Sequence, residues 1–162
     1  MSELKVTLAT PKDEEQILSI AQTAWAENGL ADFNIEKVRA MLRPALYLWQ
    51  GLCGVIKQPS GRIEGGILLR TTQMWYSDSW ILEEKIIFVD PEFRNVKGGR
   101  AALLCEFSKK VADDLGIPLM IGVLSNTRTA AKIKMYERKF GEPAGAFFLY
   151  GAKTGHEMTM EN

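Results

Sequence analysis

The residues best suited to chemistry lie in the stretch Ile86-Ile87-Phe88-Val89-Asp90-Pro91-Glu92-Phe93-Arg94-Asn95-Val96-Lys97-Gly98-Gly99-Arg100-Ala101-Ala102-Leu103-Leu104. It reads as an apolar strand, a basic glycine-rich turn and an amphipathic helix, an order that builds a site for a pyrophosphate. Glycines let the backbone approach an anion, and the first N–H groups of a helix are unpaired and lie at the positive end of its dipole. Arg94, Lys97 and Arg100 add mobile positive charge to the same turn. A P-loop would need GxxxxGK[ST] and a dinucleotide fold GxGxxG, and the turn has neither. Just before it, Glu83 and Glu84 are adjacent carboxylates on one strand. Strict alternation puts Glu83 on the face of Lys85, Ile87 and Val89, and Glu84 on that of Leu82, Ile86 and Phe88, so one of the two can face a cleft.

Other reactive residue types contribute less. Cys53 and Cys105 are far apart within apolar segments and read as core thiols rather than a disulfide, a metal site or a nucleophile. His156 is the sole histidine and falls in a tail hairpin, where a surface role is expected. No metal site is visible.

Positioning these groups requires a folded scaffold, and 162 residues suffice for one domain covering positions 1–162. Leu4–Leu8 alternates as a half-buried strand, and Thr10-Pro11-Lys12-Asp13 carries an N-cap, an N1 proline and a first-turn acid. The helix expected there has an apolar stripe of Ile17, Ile20, Ala21, Ala24 and Trp25 and ends near Asn28-Gly29. A second helix follows Asn34 and is expected to stop at Pro44. Three strands, 46–56, 63–75 and 80–89, read as an antiparallel meander. The helix after the glycine turn buries Leu104, Phe107, Val111 and Leu115. Positions 119–124 form a buried parallel strand, a helix runs from about Thr127 to Lys139, and 147–152 with 156–160 form a closing hairpin. The expected architecture is a mixed α/β sheet in the order β-α-α-β-β-β-α-β-α-β-β.

Twenty basic and twenty acidic residues cancel, giving no broad basic field for nucleic acid or an anionic membrane. The N-terminus has no signal-like pattern and no apolar run reaches the ~20 residues of a membrane span, so a cytoplasmic protein is expected.

The turn resembles the signature [RQ]xxGx[GA] of the GNAT superfamily of N-acetyltransferases, whose loop holds the pyrophosphate of acetyl-coenzyme A. Arg94 and Gly99 fit it, and Lys97 stands where the first glycine is expected, beside Gly98. The element order is also that of the GNAT fold, so the resemblance covers essentially the whole chain. It implies acetyl-CoA as co-substrate, without a metal, and direct attack by a primary amine in a ternary complex. Loop contacts carried over by position are Arg94, Asn95, Val96, Lys97, Gly98, Gly99 and Arg100. The end of the fourth strand, splayed from the fifth by a bulge in the family, maps to Ile87, Phe88 and Val89 and would pair with the pantetheine arm.

Acetyl transfer to an amine needs a base, because an alkylammonium has a pKa near 10.4, and an acid for the departing thiolate. The family position of the base maps to Glu83, with Glu84 as the alternative. Tyr136, in Tyr136-Glu137-Arg138-Lys139-Phe140-Gly141, resembles the late YExxGF element whose tyrosine donates to the coenzyme sulfur. Asn126, ten residues before Tyr136 where the family spacing is seven, is a further coenzyme contact, with Ser125 and Arg128 beside it. Trp25, Tyr47, Trp49, Trp75, Tyr76 and Trp80 could line an acceptor pocket, and Glu27, Asp32 and Asp78 could receive a cationic amine. The acceptor is expected to be a small-molecule or protein amine, and a homodimer would cover exposed sheet edges. The rival reading is a CoA-binding regulatory or interaction module with the same fold and little turnover.

Overall fold

In the computed structural model, residues 3–94, 96–124 and 129–151 are described. The chain opens with strand β1 (Val6–Leu8). Pro11–Asp13 then forms a 3-10 turn that continues into helix α1 (Glu14–Asn28). Asp13 fixes this start, since its buried carboxylate accepts the Thr10 N–H at 2.9 Å and the Lys57 ammonium at 2.8 Å. Two acids in the first turn of α1 complement its dipole, and they also reach the next helix: Glu14 and Glu15 both bind Arg39, and Glu14 binds Arg43. That helix, α2 (Ile35–Leu46), is capped by Asn34, whose side chain accepts the Lys37 N–H at 3.1 Å.

Pro44 does not end α2 as expected. A proline loses its own donor and crowds the carbonyl one turn back, but its carbonyl still accepts from Tyr47 and Trp49, which closes the last turn, and the helix runs on to Leu46. The chain turns through Leu48 and Gln50, both with positive φ (57° and 56°). Strand β2 therefore starts at Gly51 rather than 46 and ends at Lys57. Strands β3 (Ile63–Gln73) and β4 (Trp80–Val89) complete the meander. Helix α3 (Arg100–Leu115) follows, then β5 (Leu119–Met120) and α4 (Thr129–Phe140).

The strands order as β1-β2-β3-β4-β5, antiparallel except for the β4–β5 pair. One sheet face packs under α1 and α2 through Leu18, Leu42, Ala45, Val55 and Leu68. The other packs under α3 through Ile56, Ile67, Leu69, Leu82 and Leu104. Burying each large aliphatic contributes roughly 1.5–3 kcal/mol, so both faces are strongly specified. Leu115, expected inward, is half exposed where α3 ends at Gly116.

The expected strand at 147–152 is absent over its described residues, Phe147 to Gly151, and Phe147, Phe148 and Tyr150 are exposed. β5 pairs only at Leu119 and Met120, so little ladder extends that edge for another strand to join. The hairpin's second strand at 156–160, with His156, lies outside the described residues.

Candidate active site

The site begins with an irregularity in β4. Leu69 pairs with Glu84 and Leu68 with Ile86, leaving Lys85 as an extra residue. Such a bulge shifts the alternation and bends the strand. Ile87 and Val89 consequently share the α3 face with Leu82, while Ile86 packs toward α1 and α2. Cross-strand partners share a face, so Glu84 stands with Leu69 on the α3 side and Glu83 stands on the other. The grouping expected from strict alternation is therefore reversed beyond Lys85.

The second consequence is a gap. β4 and β5 pair at Leu82–Leu119 and Glu83–Met120, and among the described residues they do not pair beyond that. The residues after Glu83 face a cleft of about 690 Å³, with Ile121 to Leu124 on the opposite wall, α1 and α2 at one end and Tyr136 of α4 at the other.

The two carboxylates have different surroundings. Glu83 binds Lys85 across the bulge at 2.7 Å. Burial pushes the Glu84 carboxyl up from 4.5 to about 7, opposed by a hydrogen bond from the Gly122 N–H, raised further by Glu83 and lowered by Lys85. Its charge and that of Cys105 add to burial in raising the Tyr136 phenol above its ordinary value. Tyr136 is also held edge-on to Phe140, with ring centroids 5.7 Å apart. A carboxylate titrating near neutrality and a phenol held neutral thus line one gap, the pairing expected where a base and an acid act together.

Cys53 and Cys105 are buried free thiols, as expected of core cysteines. Burial pushes them up to about 12 and about 11 respectively, which removes them as nucleophiles at neutral pH.

At the far end of β4, Gly98 and Gly99 have φ of 125° and 55°. A Cβ on Gly98 would lie 2.3 Å from Leu4 Cδ1. Lys97 does not need a glycine's freedom, since among the described residues the non-glycines with positive φ are Leu48 and Gln50. The loop's two left-handed positions fall on its two glycines, and α3 begins immediately after.

The three cations of the loop are not equivalent, and two are not mobile. Arg94 donates to the Val89 carbonyl at 2.9 Å, binds Glu27 of α1 at 2.8 Å and lies over Phe88. Arg100 is buried, with its Nε 2.6 Å from Glu64, its guanidinium over Phe93 and a bond to the Lys97 carbonyl. Lys97 is exposed and, among the described residues, has no ion pair. Burial alone would raise the Glu64 carboxyl, but Arg100 and Gln58 outweigh it and hold it below its ordinary value. Asn95, Ser125, Asn126 and Arg128 lie outside the described residues.

Of the aromatics expected near an acceptor, Trp25 lines the cleft; Tyr47, Trp49, Trp75, Tyr76 and Trp80 do not and are exposed. Glu27 is committed to Arg94. The sequence reading missed the Arg100–Glu64 pair and the partnership of Trp25 with Phe33. A buried ion pair 36 positions apart has no local signature, whereas Phe33 just before the Asn34 cap was a readable candidate.

No helix among the described residues is long and apolar enough to cross a membrane, and no cluster of metal-ligating side chains occurs among them.

No protein-family model matches the sequence, and no curated protein does. Solved structures do match. The ribosomal-protein-alanine N-acetyltransferase of Brucella melitensis biovar Abortus 2308 is 12% identical, with a TM-score of 0.68 over 94% of this chain and 99% of its own. AAC(6')-Iy in complex with the bisubstrate analog CoA-S-monomethyl-acetylneamine is 16% identical, with a TM-score of 0.68 over 94% and 99%. The aminoglycoside antibiotic 6'-N-acetyltransferase AAC(6')-Ih from Acinetobacter baumannii is 12% identical, with a TM-score of 0.67 over the same shares. The fold is that of the GNAT acetyltransferases.

Proposed function

We propose that this chain is an acetyl-CoA-dependent N-acetyltransferase in which a primary amine attacks the thioester directly, within a ternary complex. The observation that carries the reading is the pair of Glu84 and Tyr136 lining the gap between β4 and β5.

The chain's residues fit the coenzyme at two places. Gly98 and Gly99, at the start of α3, would hold the pyrophosphate through backbone N–H groups, with the exposed Lys97, which has no ion pair among the described residues, adding a cation. Arg94 and Arg100 shape the loop through Glu27 and Glu64, and their neighbours Asn95 and Val96 complete the carried-over signature. The edge of β4 at Ile87, Phe88 and Val89, which β5 does not pair, offers backbone groups to the pantetheine amides. When bound, acetyl-CoA supplies an activated acyl group on a thiol leaving group.

Glu84 takes a proton from the attacking ammonium, a role its value near 7 suits. The N–C bond forms as the C–S bond breaks, and the Tyr136 hydroxyl gives its proton to the departing sulfur. Of the two protons the ammonium loses, one leaves through Glu84 to solvent and the other replaces the one Tyr136 gave up. Glu83, bound to Lys85 on the opposite face, acts by raising Glu84.

Release of free thiol from acetyl-CoA over a panel of amines and peptides tests the reading. Acetyl-CoA should raise the melting temperature, and amine-dependent release should follow, reduced in Tyr136→Phe. Binding without release across the panel, unchanged in Tyr136→Phe, would favour the regulatory module instead. No thermal shift would sink both readings.

A further inference from the structure

The end of the cleft away from Tyr136 has a composition that selects among amines. Its wall under α1 and α2 is apolar, formed by Ile20, Ala24, Trp25, Phe33, Val38 and Met41. Trp25 and Phe33 form its aromatic part, with ring centroids 5.5 Å apart at 43°. The indole N–H, the polar atom of Trp25, donates to the Ala31 carbonyl at 2.6 Å, so what the ring offers a ligand is apolar surface. Gly29 makes this placement possible, since a Cβ there would lie 2.1 Å from Trp25 Cδ1.

Charge at this end is already balanced. Among the described residues, the charged ones lining the cleft are Glu83, Glu84, Lys85 and Lys132, with Glu83 bound to Lys85. The carboxylates of α1 do not line the cleft and are themselves paired: Glu27 binds Arg94, and Glu14 and Glu15 bind Arg39. Asp32, on the connection between α1 and α2, is exposed and does not line the cleft. A polyamine or aminoglycoside would bring several ammonium groups to an apolar wall, and each would lose its hydration without gaining a free carboxylate. An amine with one charge and a flat apolar body would place the charge at Glu84 and the body against the rings.

Resting on the N-acetyltransferase reading, we propose that the acceptor is a primary amine on a flat apolar body, seated against Trp25 and Phe33 with its nitrogen toward Glu84.

The test is thiol release by the full chain from acetyl-CoA with 2-phenylethylamine and tryptamine set against spermidine and kanamycin. The aromatic amines should exceed the polycations in kcat/KM by about 100-fold, since an apolar site discriminates strongly against uncompensated charge. Trp25→Ala and Phe33→Ala should each raise KM for 2-phenylethylamine by about tenfold, with kcat little changed and the acetyl-CoA thermal shift retained. That retained shift shows a variant is folded, and either variant alone suffices. Polycations turned over as well as the aromatic amines would overturn the assignment. So would an unchanged KM in a variant that still binds acetyl-CoA, or binding with no release from any of the four amines. Absence of an acetyl-CoA shift in the unsubstituted chain overturns the N-acetyltransferase reading itself, and the acceptor assignment with it.

Discussion

Replacing Glu84 with glutamine should stabilise the protein and disable it. The carboxyl is raised from 4.5 to about 7, first by burial and then by Glu83, against the opposing Gly122 N–H and Lys85. A carboxyl raised by folding is an asset while protonated and a cost when charged. Its favourable contribution is complete below 4.5 and is lost as pH rises through about 7. At about 1.4 kcal/mol per pH unit, the charged side chain costs about 3 kcal/mol above that range. Glutamine keeps an oxygen for the Gly122 N–H and never ionises. Urea unfolding of both proteins should therefore give equal stabilities near pH 4.5 and a difference growing to about 3 kcal/mol in favour of Glu84→Gln at pH 8.

Activity should move the other way. Loss of a positioned base lowers kcat/KM by about 10²–10⁴-fold and removes the rise in the pH–rate profile near 7, leaving the limb set by the amine's own pKa. Glu83→Gln is the companion variant. It removes one cause of the raised value and releases Lys85, so the rise should persist but shift to lower pH. The reasoning fails if Glu84→Gln is no more stable than the parent at pH 8, or if it keeps the rise near 7 with kcat/KM within tenfold.

Tyr136→Phe should lower kcat by about 10²-fold or more while leaving acetyl-CoA affinity unchanged, read by thiol release and calorimetry, because it removes a proton and no packing. Gly98→Ala should weaken acetyl-CoA binding, measured by thermal shift, since φ of 125° disfavours a side chain and the new Cβ meets Leu4. Arg100→Met should cost about 3–5 kcal/mol in urea unfolding, because Glu64 is left buried without its cation, and Glu64→Leu added to it should recover part of that loss. Because Glu64 is held below its ordinary value, the pair's contribution is present above pH 4.5 and declines as pH falls. The deficit of Arg100→Met relative to the parent should shrink in acid.

What the sequence made legible follows from how locally each feature is encoded. Strand β4 begins and ends where alternation and its flanking turns place it, because a buried strand is specified residue by residue. The start of α1 was readable for the same reason: Thr10, Pro11 and Asp13 cap within one turn. The strand, glycine turn and helix also lie where the sequence places them, and the lysine that departs from the signature sits where no left-handed backbone is required. Features that depend on distant partners were not legible. Glu64 and Arg100 are 36 positions apart, and nothing around Arg100 distinguishes a buried structural cation from a phosphate ligand.

The bulge at Lys85 shows why the two adjacent carboxylates were the hardest residues to place. Alternation fixes which residues share a face only while each residue of a strand has one partner, and a single unpaired residue exchanges the two faces from there on. Counting back from Val89 along an unbroken strand gives Glu83 the company of Ile87, whereas the register gives Ile87 to the face of Glu84 and Tyr136. The same inserted residue accompanies the end of β4–β5 pairing. One irregularity therefore precedes the gap and sets which carboxylate enters it on the tyrosine's side. Glu84 lines that gap with Tyr136 and acts on its phenol, and Glu83 binds Lys85. Deleting Lys85 would keep Glu84 opposite Leu69 and Ile87 opposite Ile67 but remove the bend between them, changing how Glu84 sits in the gap. Thiol release should then fall by at least as much as in Glu84→Gln, while acetyl-CoA binding at the α3 end of the loop persists. Undiminished release from a folded Lys85 deletion would refute the link between the bulge and the site.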